Sequence, residues 1–297
     1  LNVNNGKLFV KWYLDLNVTN SSLNLLDSAD ISIIDNTGKV VVSGLITDGS
    51  GEITTQNITE YEVIDTIKTY LTNYTINTSK EDYHTNITPL NLTDNTKSSI
   101  KLFFKQTISD VNIESTDPEH NRTIANLTAN WTETVDPKIS IIDTNIVWYT
   151  NGSANNLFDN VNTIFADNTT KHQNWSFEVR IDDGIEWSEF KSSSNTSINN
   201  SIPQIASFTH PDPVLVTDDV VCFFNITDND DDQLSINFTW TNSSGFSITD
   251  SKSVDNGVPG NITLGEGNTS TGDTWTCSIT PYDAEVYGAE SISSEIS

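Results

Sequence analysis

The sequence predicts an all-β chain made of three tandem β-sandwich domains. Apolar and polar residues alternate with period two over many short segments, as in Cys222–Thr227 and Ile236–Thr241, which is the pattern of a strand with one buried face. No long segment has the apolar spacing of a helix, and only residues 156–166 are expected to hold a turn or two. A unit of about 95 residues also recurs, which indicates tandem modules with a core each.

Length and composition limit the classes of protein to consider. The chain has 297 residues, enough for two or three domains, and 35% hydrophobic residues, which suffices for sandwiches that bury one face of each strand. No apolar run approaches the roughly 18 residues of a membrane span. Because there is no signal peptide and no methionine, we expect an excerpted or processed part of a secreted protein, linked to a membrane only through an anchor outside this segment.

The chain is strongly acidic, with a formal net charge of −27. This charge argues against nucleic acid and anionic lipid as partners, since both need lysine and arginine at the contact. It favours solubility and cation binding. The simpler interpretation, a solvated acidic exterior without a ligand, stays open.

Two joins divide the chain into the predicted domains. Polar and turn-forming residues dominate around Lys105–Asp110 and Ser192–Pro203. The predicted domains are therefore residues 1–106, 107–201 and 202–297.

Three motifs follow one another in the first domain. They are the strand Ala29–Ile33, the loop Thr47–Gly51 and the segment Tyr74–Tyr83. Their order resembles that of the carboxypeptidase-regulatory-like, or transthyretin-like, module over residues 5–105, with Asp82 where the family has glycine. The resemblance implies a β-sandwich that acts as a spacer in large surface proteins of archaea and bacteria and carries no catalytic residues.

The last domain contains both cysteines of the chain. Cys222, Trp240 and Cys277 lie on three segments with strand alternation, and the run Asp273-x-Trp275-x-Cys277 closes the frame. This part resembles the immunoglobulin superfamily, with Trp275 where tyrosine is usual. The resemblance implies a Cys222–Cys277 disulfide between two sheets, worth roughly 4 kcal/mol, and an oxidising compartment. A buried pair of free thiols is the alternative.

The middle domain is a degenerate copy of the last one. Trp148 corresponds to Trp240 and Phe177 to Cys277, while an apolar residue near Leu127 takes the position of the first cysteine. We expect the same immunoglobulin-like sandwich with apolar packing in place of the cross-link.

Asn-x-Ser/Thr sequons occur 20 times, whereas 35 Asn and 72 Ser or Thr in 297 residues would give about 8 by chance. In strand-like segments the acceptors fall on the polar face, so glycans would leave the core undisturbed. We predict N-linked glycans on an extracellular exterior, with unoccupied sequons in an Asn- and Thr-rich chain as the alternative. The acceptors are Asn17, Asn20, Asn57, Asn73, Asn77, Asn86, Asn91, Asn121, Asn126, Asn130, Asn151, Asn168, Asn174, Asn195, Asn199, Asn225, Asn237, Asn242, Asn261 and Asn268.

One loop of the last domain has the composition of a metal site. Asp228, Asp230 and Asp232 place carboxylates at every second position, and hard oxygen ligands with this spacing can wrap Ca²⁺. The central glycine and final glutamate of an EF-hand loop are missing. The sequence predicts either a calcium site or a solvated loop.

Catalysis is not expected in this segment. The four histidines, His84, His120, His172 and His210, are scattered in polar or turn-like settings, and no nucleophile-elbow, metalloprotease or phosphate-loop motif occurs. We therefore predict a protein that is not an enzyme.

The leading functional hypothesis is a structural subunit or segment of a glycosylated extracellular surface assembly, such as an S-layer, sheath or filament, of archaeal origin. Its partners would be copies of itself in a homopolymer at the cell surface. The alternating strand Leu8, Val10, Trp12, Leu14 and Leu16 is the candidate assembly strand. The alternatives are an adhesin or ligand-binding ectodomain and the accessory domains of a larger secreted enzyme.

Overall fold

The structure is a computed structural model that describes residues 2–4, 6–211, 218–230 and 232–297. Within these residues the chain forms 24 strands, and its helical content is three 3-10 helices of three residues each, Asn156–Phe158, Ala166–Asn168 and Glu266–Asn268. The predicted all-β class is confirmed. Among the described residues no helix has the length and apolar character needed to cross a membrane.

The first two sheets lie within the first 102 residues. One sheet contains β1 (Asn2–Asn4), β2 (Lys7–Asn20), β5 (Gln56–Ile64), β6 (Ile67–Tyr70) and β9 (Thr96–Leu102). The other contains β3 (Asp30–Ile34), β4 (Val40–Ile46), β7 (Tyr74–Ser79) and β8 (Asn86–Leu90). Strand β2 organises the first sheet, because it pairs antiparallel with β1 and β5 and parallel with β9.

The core of this first sandwich is formed by alternate residues of both sheets. Leu14 and Leu16 of β2 meet Ile31 and Ile33 of β3 in one buried cluster. Period-two alternation therefore produced the predicted buried faces.

The second pair of sheets follows in the middle of the chain. One sheet contains β10 (Thr107–Ser115), β11 (Leu127–Thr134) and β14 (Thr163–Ile164). The other contains β12 (Asp143–Thr150), β13 (Ser153–Ala154), β15 (Asn174–Asp182), β16 (Lys191–Ser192) and β17 (Thr196–Ser197). Trp148 connects the two, since its ring contacts Phe177 at 5.1 Å and its Nε1 donates to the carbonyl of Val161, just before β14, at 2.7 Å.

The third pair ends the chain. One sheet contains β18 (Gln204–Thr209), β19 (Val220–Thr227) and β22 (Gly260–Leu264). The other contains β20 (Leu234–Asn242), β21 (Ser247–Val254), β23 (Trp275–Tyr282) and β24 (Ser291–Ile292). Their buried faces form a single cluster that includes Phe224 and Ile226 from one sheet and Trp240 and Ile279 from the other.

The internal repeat reappears in the hydrogen bonds. The N–H of Phe177 donates to Ser193 Oγ at 3.0 Å, and the N–H of Cys277 donates to Ser293 Oγ at the same distance. Each serine N–H in turn donates to the carbonyl of its partner. The two strands thus share one backbone arrangement although only one carries a cysteine.

The chain divides into two compact units. One consists of Leu1–Val111, Trp131–Ile146 and Glu178–Ser192, and the other consists of Asn112–Asn130, Val147–Phe177 and Ser193–Ser297. Segments of the predicted middle domain therefore occur in both units. The three-domain division with boundaries after residues 106 and 201 stays a prediction.

Asp82 adopts the backbone conformation that favours glycine. Its φ is +64°, in the left-handed region where Asp is tolerated better than most residues. The turn is closed by a hydrogen bond from the N–H of Tyr83 to the carbonyl of Lys80. The substitution of the expected glycine therefore keeps a tight turn.

Tyr74 gives the first sandwich a measurable response to alkaline pH. It is 1% exposed and donates its hydroxyl proton to the carbonyl of Thr59, and burial, together with the charge of Asp35, raises the pKa of Tyr74 to about 12. An unfolded tyrosine ionises near pH 10, so the stability that the neutral ring contributes is complete below about pH 10 and is lost as pH rises towards 12.

We expect the urea midpoint of the wild-type chain to fall between about pH 9 and pH 11.5 more steeply than that of Tyr74→Phe, which has no proton to lose. Circular dichroism at both pH values provides the measurement. Equal slopes for the two proteins would show that Tyr74 does not stay neutral in the folded state.

Candidate functional site

The three predicted metal ligands come together. One carboxylate oxygen from each of Asp228, Asp230 and Asp232 lies within 4.8 Å of the others. Asp228 and Asp230 are buried and Asp232 is half-buried. Asp231, in the same loop, lies outside the described residues.

Local hydrogen bonds shape this loop directly after β19. Oδ1 of Asp228 accepts the N–H of Asp230 at 2.7 Å, which bends the chain back on itself. Asn256 holds the turn from outside, because its Oδ1 accepts the N–H of Asp228 at 3.0 Å and its Nδ2 donates to the Asp228 carbonyl at 2.7 Å. The loop is therefore held in place by the chain without an ion.

Two carboxylates keep a buried oxygen without a partner. Oδ2 of Asp228 and Oδ2 of Asp232 accept no hydrogen bond from the described residues. Burial is the main cause that raises the pKa of Asp228 to about 6. The negative charges of Asp230, Asp283 and Asp232 raise this pKa further, while the hydrogen bond from the N–H of Asp230 lowers it. Two unit charges 4.8 Å apart repel by about 3 kcal/mol at an effective dielectric constant of about 20. The carboxylates of this loop therefore repel one another.

One basic side chain reaches the loop. Lys171 Nζ lies 2.6 Å from Asp232 Oδ1, donates to Asn200 Oδ1 at 3.1 Å and pairs with Glu285. Burial opposes its charge, but the bonds to Asp232 and Glu285 outweigh burial and raise the pKa of Lys171. Lys171 thus neutralises the edge of the group, and within the described residues no basic side chain pairs with Asp228.

Asp283 and a linker segment complete the arrangement. Asp283 is buried, its Oδ1 accepts the N–H of Glu285 at 2.8 Å, and its Oδ2 accepts Nδ2 of Asn200 at 2.7 Å. The N–H of Ser201 donates to Asp230 Oδ2 at 2.7 Å. We call the five acidic residues the acidic centre: Asp228, Asp230, Asp232, Asp283 and Glu285.

A cleft connects the acidic centre with solvent. Its volume is about 660 Å³, and Asp230, Asp232 and Lys171 lie on its wall together with Thr170. A small ion can therefore reach the carboxylates without unfolding of the loop.

A second group of charged residues lies in the first unit. Nε2 of the buried His84 is 2.6 Å from Asp183 Oδ2, and its Nδ1 is 3.2 Å from Glu186 Oε1. Lys105 Nζ lies 3.0 Å from the same oxygen of Glu186. We call these residues, with Asp136, the His84 centre. The polar setting expected for His84 is thus one of carboxylates, and the side chain is buried in it, with 4% of its surface exposed.

Asp183 and Asp283 occupy equivalent positions of the internal repeat. Each Oδ1 accepts the backbone N–H groups two and three residues further on, at 2.9 and 3.1 Å for Asp183 and at 2.8 and 2.6 Å for Asp283. The other oxygen differs in its partner. Asp183 faces the imidazole of His84, whereas Asp283 faces the neutral amide of Asn200.

Asp136 and Asp230 form a second equivalent pair. Oδ2 of Asp136 accepts the N–H of Phe104 at 3.0 Å, and Oδ2 of Asp230 accepts the N–H of Ser201 at 2.7 Å. Each donor lies three positions before a strand, β10 in the first case and β18 in the second. Burial acts to raise the pKa of Asp136, but hydrogen bonds and the charge of His84 outweigh it and lower that pKa. The His84 centre therefore has two basic side chains for three carboxylates. The acidic centre has Lys171 and the exposed His172 for five, so its excess of carboxylates is larger.

The two cysteines form the predicted disulfide. Cys222 on β19 and Cys277 on β23 are joined between the two sheets of the third sandwich and are fully buried. Trp240 packs in the same cluster. In the middle of the chain Ala129 takes the position of Cys222. The N–H of Ala129 donates to the carbonyl of residue 162, and Cys222 pairs with residue 262 in the same way.

The twenty sequon asparagines all lie in the described part of the chain, and none belongs to its fully buried residues. Twelve are exposed and eight are half-buried. The exposed acceptors are Asn57, Asn73, Asn91, Asn130, Asn151, Asn168, Asn174, Asn195, Asn199, Asn237, Asn261 and Asn268. Their use as glycosylation sites stays a prediction.

The candidate assembly strand has two different halves. Leu14 and Leu16 are buried in the core of their own sandwich, so they are not available to another chain. Leu8 and Val10 are half-buried, and Trp12 packs at the margin of that core with its Nε1 bonded to Glu60 at 2.8 Å. Any role in assembly is restricted to the first half.

Sequence reasoning found three members of the acidic centre and missed Asp283, Glu285 and Lys171. These residues are 51 positions or more from the Asp228–Asp232 loop in the sequence. The repeat offered a signal, because it aligned Asp183 with Asp283. Two carboxylates at one position of a repeat indicate a shared structural task.

No family model matches the chain, and no curated protein matches it. Solved structures with similar folds include the major pilin subunit BcpA of Bacillus cereus in its D312A form, at 10% identity over 95% of this chain and 92% of the pilin, with a TM-score of 0.39. A tetra-tandem repeat from the extending region of a large adhesion protein matches at 10% identity over 97% and 74%, with a TM-score of 0.32.

The chicken interferon gamma receptor alpha chain matches at 10% identity over 63% of this chain and 95% of the receptor chain, with a TM-score of 0.37. Because these TM-scores are below 0.5, the similarities carry no weight in the assignment of function, which rests on the residues of this chain.

Removal of the disulfide should destabilise the third sandwich. The bond closes a loop of 55 residues, which corresponds to about 4 kcal/mol of unfolding free energy in the chain-entropy model. We expect the Cys222→Ala, Cys277→Ala double variant to lose about this amount in urea unfolding. Dithiothreitol should destabilise the wild-type chain similarly and leave the double variant unchanged; an insensitive wild type would contradict the bond's role.

Proposed function

We propose that the chain is a structural segment of a glycosylated assembly on the outside of a cell, an S-layer, sheath or filament of archaeal origin that is built from copies of itself. In this proposal the first sandwich is a carboxypeptidase-regulatory-like spacer, the following two modules are immunoglobulin-like, and none performs catalysis. The placement of the sequon asparagines carries the proposal.

Every acceptor lies outside the fully buried cores. A glycan needs an accessible amide nitrogen and room beyond it. On β15 and β20 the exposed Asn174 and Asn237 alternate with the buried Trp175 and Ile236, so sugar and core occupy opposite faces. This separation supports an exterior covered with glycans.

The disulfide supports the same compartment. A buried Cys222–Cys277 bond persists where the environment is oxidising, as outside the cell. The cross-link and paired sheets also suit a segment that must resist unfolding under load.

The outer half of the first sheet is the surface proposed for contact between copies. It consists of residues 7–13 of β2, residues 58–64 of β5 and strand β6. Here the side chains are half-buried or exposed apart from Ile58, and Ile67 and Tyr70 face solvent. Lys68 Nζ sits 3.5 Å from the ring centre of Tyr61 and 4.2 Å from that of Tyr70. This half of the sheet lacks the cover that buries the inner half.

The charge of this surface favours a second copy as its partner. With the turn at residues 65–66 included, this surface spans residues 7–13 and 58–70, which contain three lysines and three acids and are formally neutral, whereas the whole chain carries −27. Two acidic molecules can approach each other with least repulsion where the surface of each is neutral.

A new charge on this surface should block assembly. Ile67→Glu places a carboxylate on a side chain that is 69% exposed in the single chain, so folding should be unaffected while burial against a neighbour becomes unfavourable. We expect the variant to remain monomeric in sedimentation velocity under conditions in which the wild-type chain forms polymers visible by electron microscopy.

Ile87→Glu is the matched control, because Ile87 is equally exposed at 69% but lies on β8 of the other sheet. It should polymerise like the wild type. Normal polymers from Ile67→Glu would exclude this surface. A wild-type chain that stays monomeric even with its native glycans would exclude the assembly itself.

Glycosylation is tested by mass. Peptides that contain the sequons, cut from the protein of its native source, should exceed their polypeptide masses by whole sugar units and should lose that excess on deglycosylation. The sugars should be found first on the twelve exposed acceptors. Unmodified masses for all the sequon peptides would remove the observation on which the proposed function rests.

A further inference from the structure

We propose that the acidic centre binds one hard divalent cation, Ca²⁺ among the common ions, through the carboxylates of Asp228, Asp230 and Asp232. Lys171 acts there as the built-in counter-charge that holds Asp232 when the cation is absent. The site joins the loop after β19 to the linker before β18 and to Asp283 after β23.

The unpartnered oxygens point to a ligand. Asp228 is 8% exposed, and its Oδ2 is sealed from solvent with no hydrogen-bond partner among the described residues. A buried carboxylate oxygen in this state is unfavourable unless a donor or a cation meets it. Oδ2 of Asp232 is in the same state. Both belong to the group whose oxygens lie within 4.8 Å, so one ion can satisfy both.

The internal repeat supplies an independent observation. At the equivalent position of the first unit, Asp183 faces His84, and Lys105 stands beside it on Glu186. The chain thus provides its own basic groups there. At the acidic centre Lys171 and His172 pair with Glu285, in the role that Lys105 has in the first unit. Asp283, however, faces the neutral Asn200, and the place of the imidazole has no basic side chain among the described residues. A cation from solution fills the corresponding electrostatic role.

The donor set selects the kind of ion. Carboxylate oxygens are hard ligands, and the three proposed ligands supply oxygen alone, whereas zinc and copper favour thiolate and imidazole. The imidazole at the centre, that of the exposed His172, pairs with Glu285 at 3.2 Å. Asp230 keeps one oxygen on Ser201 N–H and offers the other. Calcium tolerates such irregular oxygen sets, whereas magnesium demands near-ideal octahedral geometry.

Lys171 sets the strength of binding. Its ammonium lies 2.6 Å from Asp232 Oδ1 and repels a divalent ion that approaches the same carboxylate. When the ion binds, the ammonium of Lys171 can leave Asp232 and keep its hydrogen bonds to Asn200 and Glu285. Neutralising Lys171 should therefore strengthen calcium binding while it weakens the ion-free fold.

The test is a calorimetric titration of CaCl₂ into the full chain, freed of metal with a chelator, at neutral pH and about 0.15 M ionic strength. We expect a saturable heat with one ion per chain and a thermal midpoint that rises with CaCl₂. MgCl₂ should bind at least about tenfold more weakly. No saturable heat up to about 10 mM CaCl₂ would overturn the proposal.

Variants separate a cation site from a merely acidic loop. Asp228→Asn should raise the thermal midpoint of the ion-free chain, because it removes a buried charge, and should weaken calcium binding at least about tenfold. Lys171→Gln should lower the ion-free midpoint and tighten calcium binding several-fold. Asp250→Asn, an exposed carboxylate on β21, is the control and should change neither. Unchanged calcium affinity in Asp228→Asn would contradict the assignment even if calcium binds elsewhere, and the structural role proposed above does not depend on the result.

Discussion

The architecture depends on one constraint, that each strand can bury only one of its two faces. In β7, β15 and β23 the buried residues fall at every second position, so each sheet has an apolar side that requires a cover. In the first pair of sheets, and again in the third pair, the two sheets cover each other's apolar faces around a cluster of their own. The exposed sequon asparagines and the proposed contact surface occupy what this pairing leaves outside.

Carboxylates take part in the fold as well as in the surface. Oδ1 of Asp35 accepts the N–H groups of Thr37 and Lys39, and the side-chain hydrogen bond from Thr37 is the main cause that lowers the pKa of Asp35. Asp48 and Asp183 hold their turns in the same manner. Turns of this kind satisfy backbone donors that no strand can pair. The simple interpretation of the acidity as a solvated exterior therefore describes only part of it.

The strands, and the Trp and Cys or Phe positions in the cores of the two related modules, could be predicted because the patterns that indicate them extend over only a few residues. Alternation specifies a buried face within a few residues, and the run around Cys277 identified its strand. Contacts between distant segments carried no such pattern. Nothing near Lys171 in the sequence indicates that its ammonium meets Asp232, 61 positions later, and His84 meets Asp183 across 99 positions. For the same reason alternation could not separate the two halves of the candidate assembly strand, since it marks Leu14 and Leu8 alike while only the opposite sheet decides which of them is covered.

The two related modules balance their electrostatic and packing terms differently. In the middle of the chain, aromatic contacts of Trp148 with Trp175 and Phe177 replace a cross-link, and two basic groups pair with acids of the His84 centre. The third sandwich carries both the disulfide and the larger excess of carboxylates. Its cross-link contributes about 4 kcal/mol, while two carboxylate charges within 4.8 Å of each other repel by about 3 kcal/mol or more at an effective dielectric constant of about 20. Because these magnitudes are similar, the covalent bond can hold the fold together with the acidic centre empty, and a bound cation would then add to a sandwich that is already formed.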